Sequence, residues 1–210
     1  MSATYKTEQE AFWAGTFGNE YIERNKSDEL LASNLNFFSK ALAKTQAISE
    51  FIEFGSNIGM NLKALSLLFP GKKFSGIEIN QLAAKELSTV IGQENVFNCS
   101  IFDFTPTKAY DLAFIKGVLI HINPEQLDLV YQKLYASSKK YILIAEYYNP
   151  SPVMIPYRGN EDRLFKLDFA GEMLEKYADL SLVDYGFAYR KDPIFPQDDI
   201  TWFLLEKTTN

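Results

Sequence analysis

AISEFIEFGSNIGMNLKALSLLF, residues 47–69, holds the plan of the whole chain in miniature. Its first nine residues are a short apolar, β-prone run ending on Gly55, which predicts a strand. From Asn57 the apolar positions recur at helical spacing until Pro70-Gly71 stops them, which predicts a helix over 57–69. Strand, glycine turn and helix make one βα unit, and the alternation continues downstream. KKFSGIEI (72–79) is strand-like, and QLAAKELSTVIG (81–92) is helical with Gly92 as its terminator. ENVFNCSIF (94–102) and AYDLAFIKG (109–117) read as third and fourth strands joined by a short link around Thr105-Pro106. NPEQLDLVYQKLYASS (123–138) is a helix capped by Asn123 with Pro124 in its first position, and KKYILIAEYY (139–148) is a fifth strand.

Strands separated by helices imply right-handed βαβ units and a parallel sheet covered on both faces. The expected fold is therefore α/β, a Rossmann-like doubly wound, mostly parallel seven-stranded sheet. Its end differs. After a long segment at 149–161 and a helix at about 162–178, SLVDYGFAYR (181–190) and DDITWFLLEKT (198–208) follow each other without a helix, which predicts a C-terminal antiparallel strand pair. Upstream, Ser27 is placed to cap a helix over 28–44 whose stripe is Leu30, Leu31, Leu35, Phe38 and Leu42. The chain divides into an N-terminal helical lid or extension over 1–45 and a ligand-binding domain over 46–210.

With 210 residues, 47% of them hydrophobic and 23% charged, the chain can bury one sizeable core. A net charge of −6 opposes a nucleic-acid partner, whose binding rests on Lys and Arg neutralising phosphates. Cys99 is the sole cysteine, so no disulfide forms within the chain and no Cys/His zinc spacing exists; no metal site is expected. The N-terminus lacks a basic region followed by an apolar core, and no apolar run approaches the roughly 20 residues that span a bilayer. A cytoplasmic protein without a membrane partner is expected, and its oligomeric state is not legible.

In an open α/β sheet, ligands bind beyond the carboxyl ends of the strands, where strand order reverses. The loop Glu53-Phe54-Gly55-Ser56-Asn57-Ile58-Gly59 is thus the centre of the expected site. A dinucleotide would call for G-x-G-x-x-G, yet Asn57 stands where the middle glycine would be. An acid two positions before the glycine turn, and a second acid at the end of the next strand, suit a ligand with ribose and amino-acid parts but no phosphates, such as S-adenosylmethionine. Glu78, next to Ile79, would accept from both ribose hydroxyls. Ser100-Ile101 would meet the adenine edge, with Asp103 either joining them or starting a turn. Lys116-Gly117 would face the methionine part, unless Lys116 only lifts its charge to the surface. Asn80 is placed to cap the next helix.

The succession EFGSNIG, GIEIN, FNCSIFDF, YDLAFIKGVLIHI and the terminal strand pair resembles the class I S-adenosylmethionine-dependent methyltransferases over roughly residues 45–208. TEQEAFWAGTFGNEYIERN, IHINPEQL and PYRGNEDRLFKLDFAGEML further resemble the methylases associated with pseudaminic acid biosynthesis, a likeness covering almost the whole chain. That likeness implies a nonulosonic acid or related bacterial surface sugar as methyl acceptor. It also implies that Trp13, Gly15, Phe17, Gly18, Tyr21 and Asn25 form a lid over the methionine end of the cofactor; bottom-up, the stretch supports a helix, a glycine turn and a helix.

Methyl transfer needs alignment and, for a hydroxyl acceptor, a base. His121, the sole histidine, follows the fourth strand and is the first candidate, its alternative being to order the helix starting at Asn123-Pro124; Glu146 is the second. Tyr147, Tyr157, Arg158, Arg163 and Lys166, on the segment leaving the fifth strand, would receive an anionic acceptor. The competing expectations are a non-catalytic module that binds S-adenosylmethionine or a nucleoside, and an NAD-dependent oxidoreductase, which the missing glycine disfavours.

Overall fold

The computed structural model describes residues 5–22, 26–157 and 160–208. Seven α-helices, α1 (Glu8–Ala14), α2 (Thr16–Ile22), α3 (Asp28–Ala41), α4 (Met60–Leu68), α5 (Gln81–Ile91), α6 (Pro124–Ser137) and α7 (Phe169–Lys176), are assigned among these residues. Five strands, β1 (Glu50–Phe54), β2 (Lys73–Ile77), β3 (Val96–Phe97), β4 (Tyr110–Lys116) and β5 (Ser138–Glu146), run parallel. β8 (Leu180–Ala188) and β9 (Ile200–Lys207) complete the sheet in the order β3-β2-β1-β4-β5-β9-β8, with β9 antiparallel to both neighbours. The architecture is the expected doubly wound, mostly parallel sheet of seven strands with a C-terminal antiparallel pair. Strand order reverses between β1 and β4, which puts the loops after these two strands side by side.

The central strands are buried on both faces, as β1 shows: Phe51, Ile52, Glu53 and Phe54 are all inaccessible. Against one face pack Phe37, Phe38 and Ala41 of α3 with Leu62 and Leu65 of α4; against the other pack Leu127, Val130 and Leu134 of α6 with Met173 of α7. Burying each of these larger side chains contributes about 1.5–3 kcal/mol. Phe38 meets Phe114 of β4 edge to face at 5.6 Å, so α3 is part of the main core. The Ser27 hydroxyl accepts from the Leu30 N–H at 3.1 Å, the cap expected of it. No helix among the described residues is long and apolar enough to cross a membrane.

Three stretches differ from expectation. Of 94–102 only Val96–Phe97 is strand, because the Ser100 carbonyl accepts from Asp103 and Phe104 N–H and its hydroxyl from Phe102 N–H, which turns the chain away from the sheet. The long segment at 149–161 holds β6 (Val153–Tyr157), and the helix expected from about 162 is instead β7 (Asn160–Lys166) as far as Lys166. These two pair antiparallel in a hairpin of their own, and the helix begins only at Phe169, where the Asp168 carboxylate accepts from Gly171 N–H at 2.8 Å. Helical periodicity in 162–168 loses to the pairing that a neighbouring β-prone run offers.

Candidate functional site

The loop after β1 is shaped by left-handed residues: φ is +77° at Gly55, +48° at Asn57 and +84° at Gly59. Gly55 and Ser56 N–H groups both donate to the Ile77 carbonyl, at 3.0 and 2.9 Å, which ties the loop to β2. A Cβ on Gly55 would lie 2.6 Å from a Val118 methyl carbon, so glycine lets the loops after β1 and β4 touch. Asparagine is the non-glycine residue best suited to a left-handed backbone, so Asn57 keeps a turn that a glycine would also make.

Above the loop opens a cavity of about 450 Å3, of ligand-pocket size. Its wall includes Gly55, Ser56, Asn57, Glu78, Ile79, Ser100, Ile101, Lys116 and Gly117, so four separate loops named from sequence converge on one space. Trp13 and Tyr21 of the N-terminal helices, His121 and Tyr147 also line it. Gly59 sits just behind, as the residue from which α4 starts. Glu53 and Glu146 are buried outside the wall. Lys166 does not line the cavity; its ammonium stands over the Tyr147 ring at 5.1 Å. Asn25 and Arg158 lie outside the described residues, as do the side chains of Tyr157 and Arg163.

Three buried carboxylates organise these loops. Glu78 accepts from Asn57 N–H and Asn80 N–H, each at 2.7 Å, one per oxygen, so its carboxylate is oriented by backbone on the cavity wall. Burial raises its pKa, and those backbone donors oppose the rise. Glu53 accepts from the Asn61 amide at 2.6 Å with one oxygen, while the other is buried without a partner; burial pushes this carboxyl up to about 8. Glu146 accepts from Val118 and Leu119 N–H, both at 2.9 Å, with one oxygen, leaves the other unpartnered, and is pushed up to about 7 by burial. It thereby holds the turn that presents His121. Lys116 is half-buried, and burial lowers its pKa against the attraction of Glu53, Asp198 and Glu146.

The N-terminal helices roof the cavity. Thr7 caps α1, accepting from Glu10 N–H while the Glu10 carboxylate accepts from Thr7 N–H. Trp13 packs edge to face on Phe17 and on Tyr21, each at 5.3 Å, and lies over His121 at 4.9 Å. Asn80 caps α5 through its carbonyl oxygen and donates its amide to the Trp13 carbonyl and to Asn19, at 3.2 and 2.8 Å. Only the cap is expected from sequence. Asn34, Asn61, Gln197 and Asp198, all on the cavity wall, are not among the residues expected there. Asn34 had left a signal, a polar residue one turn before Phe37 and Phe38 on a helix; Gln197-Asp198 stand in a loop with none.

No protein-family model matches the sequence. No curated protein matches it either. Solved structures do match in shape. The 1,6-didemethyltoxoflavin-N1-methyltransferase of Burkholderia thailandensis, with 1,6-didemethyltoxoflavin and S-adenosylhomocysteine bound, superimposes with a TM-score of 0.71 at 14% identity, over 100% of this chain and 94% of that one. The magnesium protoporphyrin IX methyltransferase of Synechocystis PCC 6803, with S-adenosylmethionine bound, gives 0.67 at 11% identity over 98% and 100%. An S-adenosylmethionine-dependent methyltransferase of Clostridium acetobutylicum gives 0.64 at 11% identity over 92% and 98%. With its strand order and the cavity over its switch point, the chain has the Rossmann-like fold that these S-adenosylmethionine-dependent methyltransferases share.

Proposed function

We propose that this protein is an S-adenosylmethionine-dependent methyltransferase acting on a small molecule, an acidic sugar of the nonulosonic acid type, by O- or N-methylation. The observation that carries the cofactor is Glu78: a buried carboxylate, aimed by two backbone donors, on the wall of a cavity whose floor is the loop of Gly55 and Asn57. Such a group fits a ribose diol and repels a phosphate, as expected for a nucleoside without phosphates. Gly55, Ser56, Glu78, Ile79, Ser100, Ile101, Lys116 and Gly117 would hold the cofactor, with Trp13 and Tyr21 closing over it. Bound S-adenosylmethionine supplies a methyl group on a sulfonium, which an acceptor oxygen or nitrogen can take.

His121 lines the cavity under Trp13 and is the residue we assign to take the acceptor's proton; Glu146, behind the wall, orders the turn that carries it. The acidic-sugar reading is supported by the resemblance of the N-terminal and 156–174 segments, and by the cations Arg158, Arg163 and Lys166 in the segment leaving β5. Incubating the protein with methyl-labelled S-adenosylmethionine and cell-extract metabolites should label a nonulosonic acid, as read by mass spectrometry. Label on a peptide or a planar heterocycle instead would reject the sugar, and absence of S-adenosylmethionine binding to folded protein would reject the enzyme. His121→Asn should lower kcat by about 10²–10⁴-fold while leaving cofactor affinity within a few-fold; an unchanged kcat would remove His121 as base.

A further inference from the structure

Lys116 ends β4 on the cavity wall, and its ammonium stands 5.5 Å from the centre of the Phe37 ring, so the side chain reaches toward α3. One turn earlier on α3, Asn34 is 1% exposed yet lines the same cavity. Its side-chain carbonyl accepts from the Gln197 amide at 3.0 Å, joining α3 to the segment before β9. That bond fixes both amides and leaves the Asn34 amide nitrogen as a donor on the wall. The acids that attract Lys116, namely Glu53, Asp198 and Glu146, do so through space, none in ion-pair contact with it. A half-buried cation facing a cavity, with no contact ion pair among the described residues, is costly, and an anionic ligand group relieves that cost.

We propose that Lys116, Asn34 and Gln197 form a carboxylate-binding subsite, with the ammonium as counter-charge, the Asn34 amide as second donor and Gln197 as the brace that orients it. Ammonium and amide N–H groups on one wall match a carboxylate, which accepts at both oxygens. The subsite rests on the methyltransferase reading, within which two groups carry a carboxylate: the amino-acid end of the cofactor and an acidic acceptor.

Calorimetry on the full chain separates them. The probes are S-adenosylhomocysteine, then 5′-methylthioadenosine, which keeps the nucleoside thioether and lacks the amino-acid end, and then N-acetylneuraminate added to protein saturated with S-adenosylhomocysteine. Lys116→Met keeps an unbranched side chain one atom shorter and removes its charge. Its affinity should fall about tenfold or more for one carboxylate-bearing probe and stay unchanged for methylthioadenosine, which also reports an intact fold. A loss confined to S-adenosylhomocysteine assigns the cofactor's carboxylate; a loss confined to N-acetylneuraminate assigns the acceptor's. Asn34→Ala should repeat the loss in weaker form. Unchanged binding of all three probes, or an equal loss for both nucleosides, overturns the subsite. Wild-type protein that binds neither nucleoside fails the methyltransferase reading, and the subsite with it.

Discussion

Glu78 shows how a single residue can both order two loops and stand on a cavity wall. Its two oxygens accept from the Asn57 and Asn80 N–H groups, so Glu78→Ala removes the proposed ribose acceptor and also frees those two N–H groups. Affinity for S-adenosylhomocysteine should drop by about tenfold or more, measured by calorimetry; unchanged affinity would remove the ribose assignment. Glu146 is governed by burial. Its carboxyl, raised from 4.5 to about 7, keeps its proton in the folded protein over a range where the unfolded chain releases it. Its contribution to stability is therefore complete below about pH 4.5 and is lost as pH rises through 7; Glu53, raised to about 8, acts in the same direction. Glu146→Gln keeps an oxygen for the Val118 and Leu119 N–H groups and cannot ionise. Its thermal midpoint should lose less than the wild type's between pH 4.5 and 7, and parallel profiles would contradict the burial-driven shift.

At the scale of elements, Asn80 joins two of them with the two halves of one amide. The oxygen caps α5 and the nitrogen holds the turn between α1 and α2. Asn80→Asp retains the cap and loses the donors to Trp13 and Asn19, whereas Asn80→Ala loses both. Both variants should raise hydrogen exchange across 8–22. Only the alanine variant should also lower stability by about 1 kcal/mol, the usual worth of a cap; equal stability losses would mean that the lid bonds, not the cap, carry the energy. Which elements could be read from sequence follows the same physics. β1, β2 and β5 are signalled by short β-prone apolar runs, and α4, α5 and α6 by helical periodicity with a cap or a glycine stop. β7 was misread as helix because its state depends on β6, a partner outside the local window.

Over the whole molecule, α1 and α2 contribute Ile22 to a small cluster with Ile58 and Ala83, while α3 places Phe37, Phe38 and Ala41 in the main core. Removing residues 1–22 should leave a cooperatively folding protein with weakened cofactor binding. Removing 1–45 strips α3 from one face of the sheet and should abolish cooperative unfolding, followed by circular dichroism. Cooperative folding of both truncations would place the boundary of the folding unit at 45, and a first truncation that fails to fold would make α1 and α2 part of the core.

The sequence by itself determined the alternation of strands and helices, the glycine turn after β1 and the acid at Glu78, because backbone torsion, period and cap chemistry are properties of neighbouring residues. Only the tertiary structure decided that β9 lies between β5 and β8, that Trp13 covers His121, and that Asn34 meets Gln197 across 163 positions of chain. A cavity wall is made by segments brought together in packing, and no local pattern records which distant side chain will stand opposite. The loop at Gly55 and the loops after the neighbouring strands were therefore legible from sequence, and the meeting of Asn34 with Gln197 on the same wall was not.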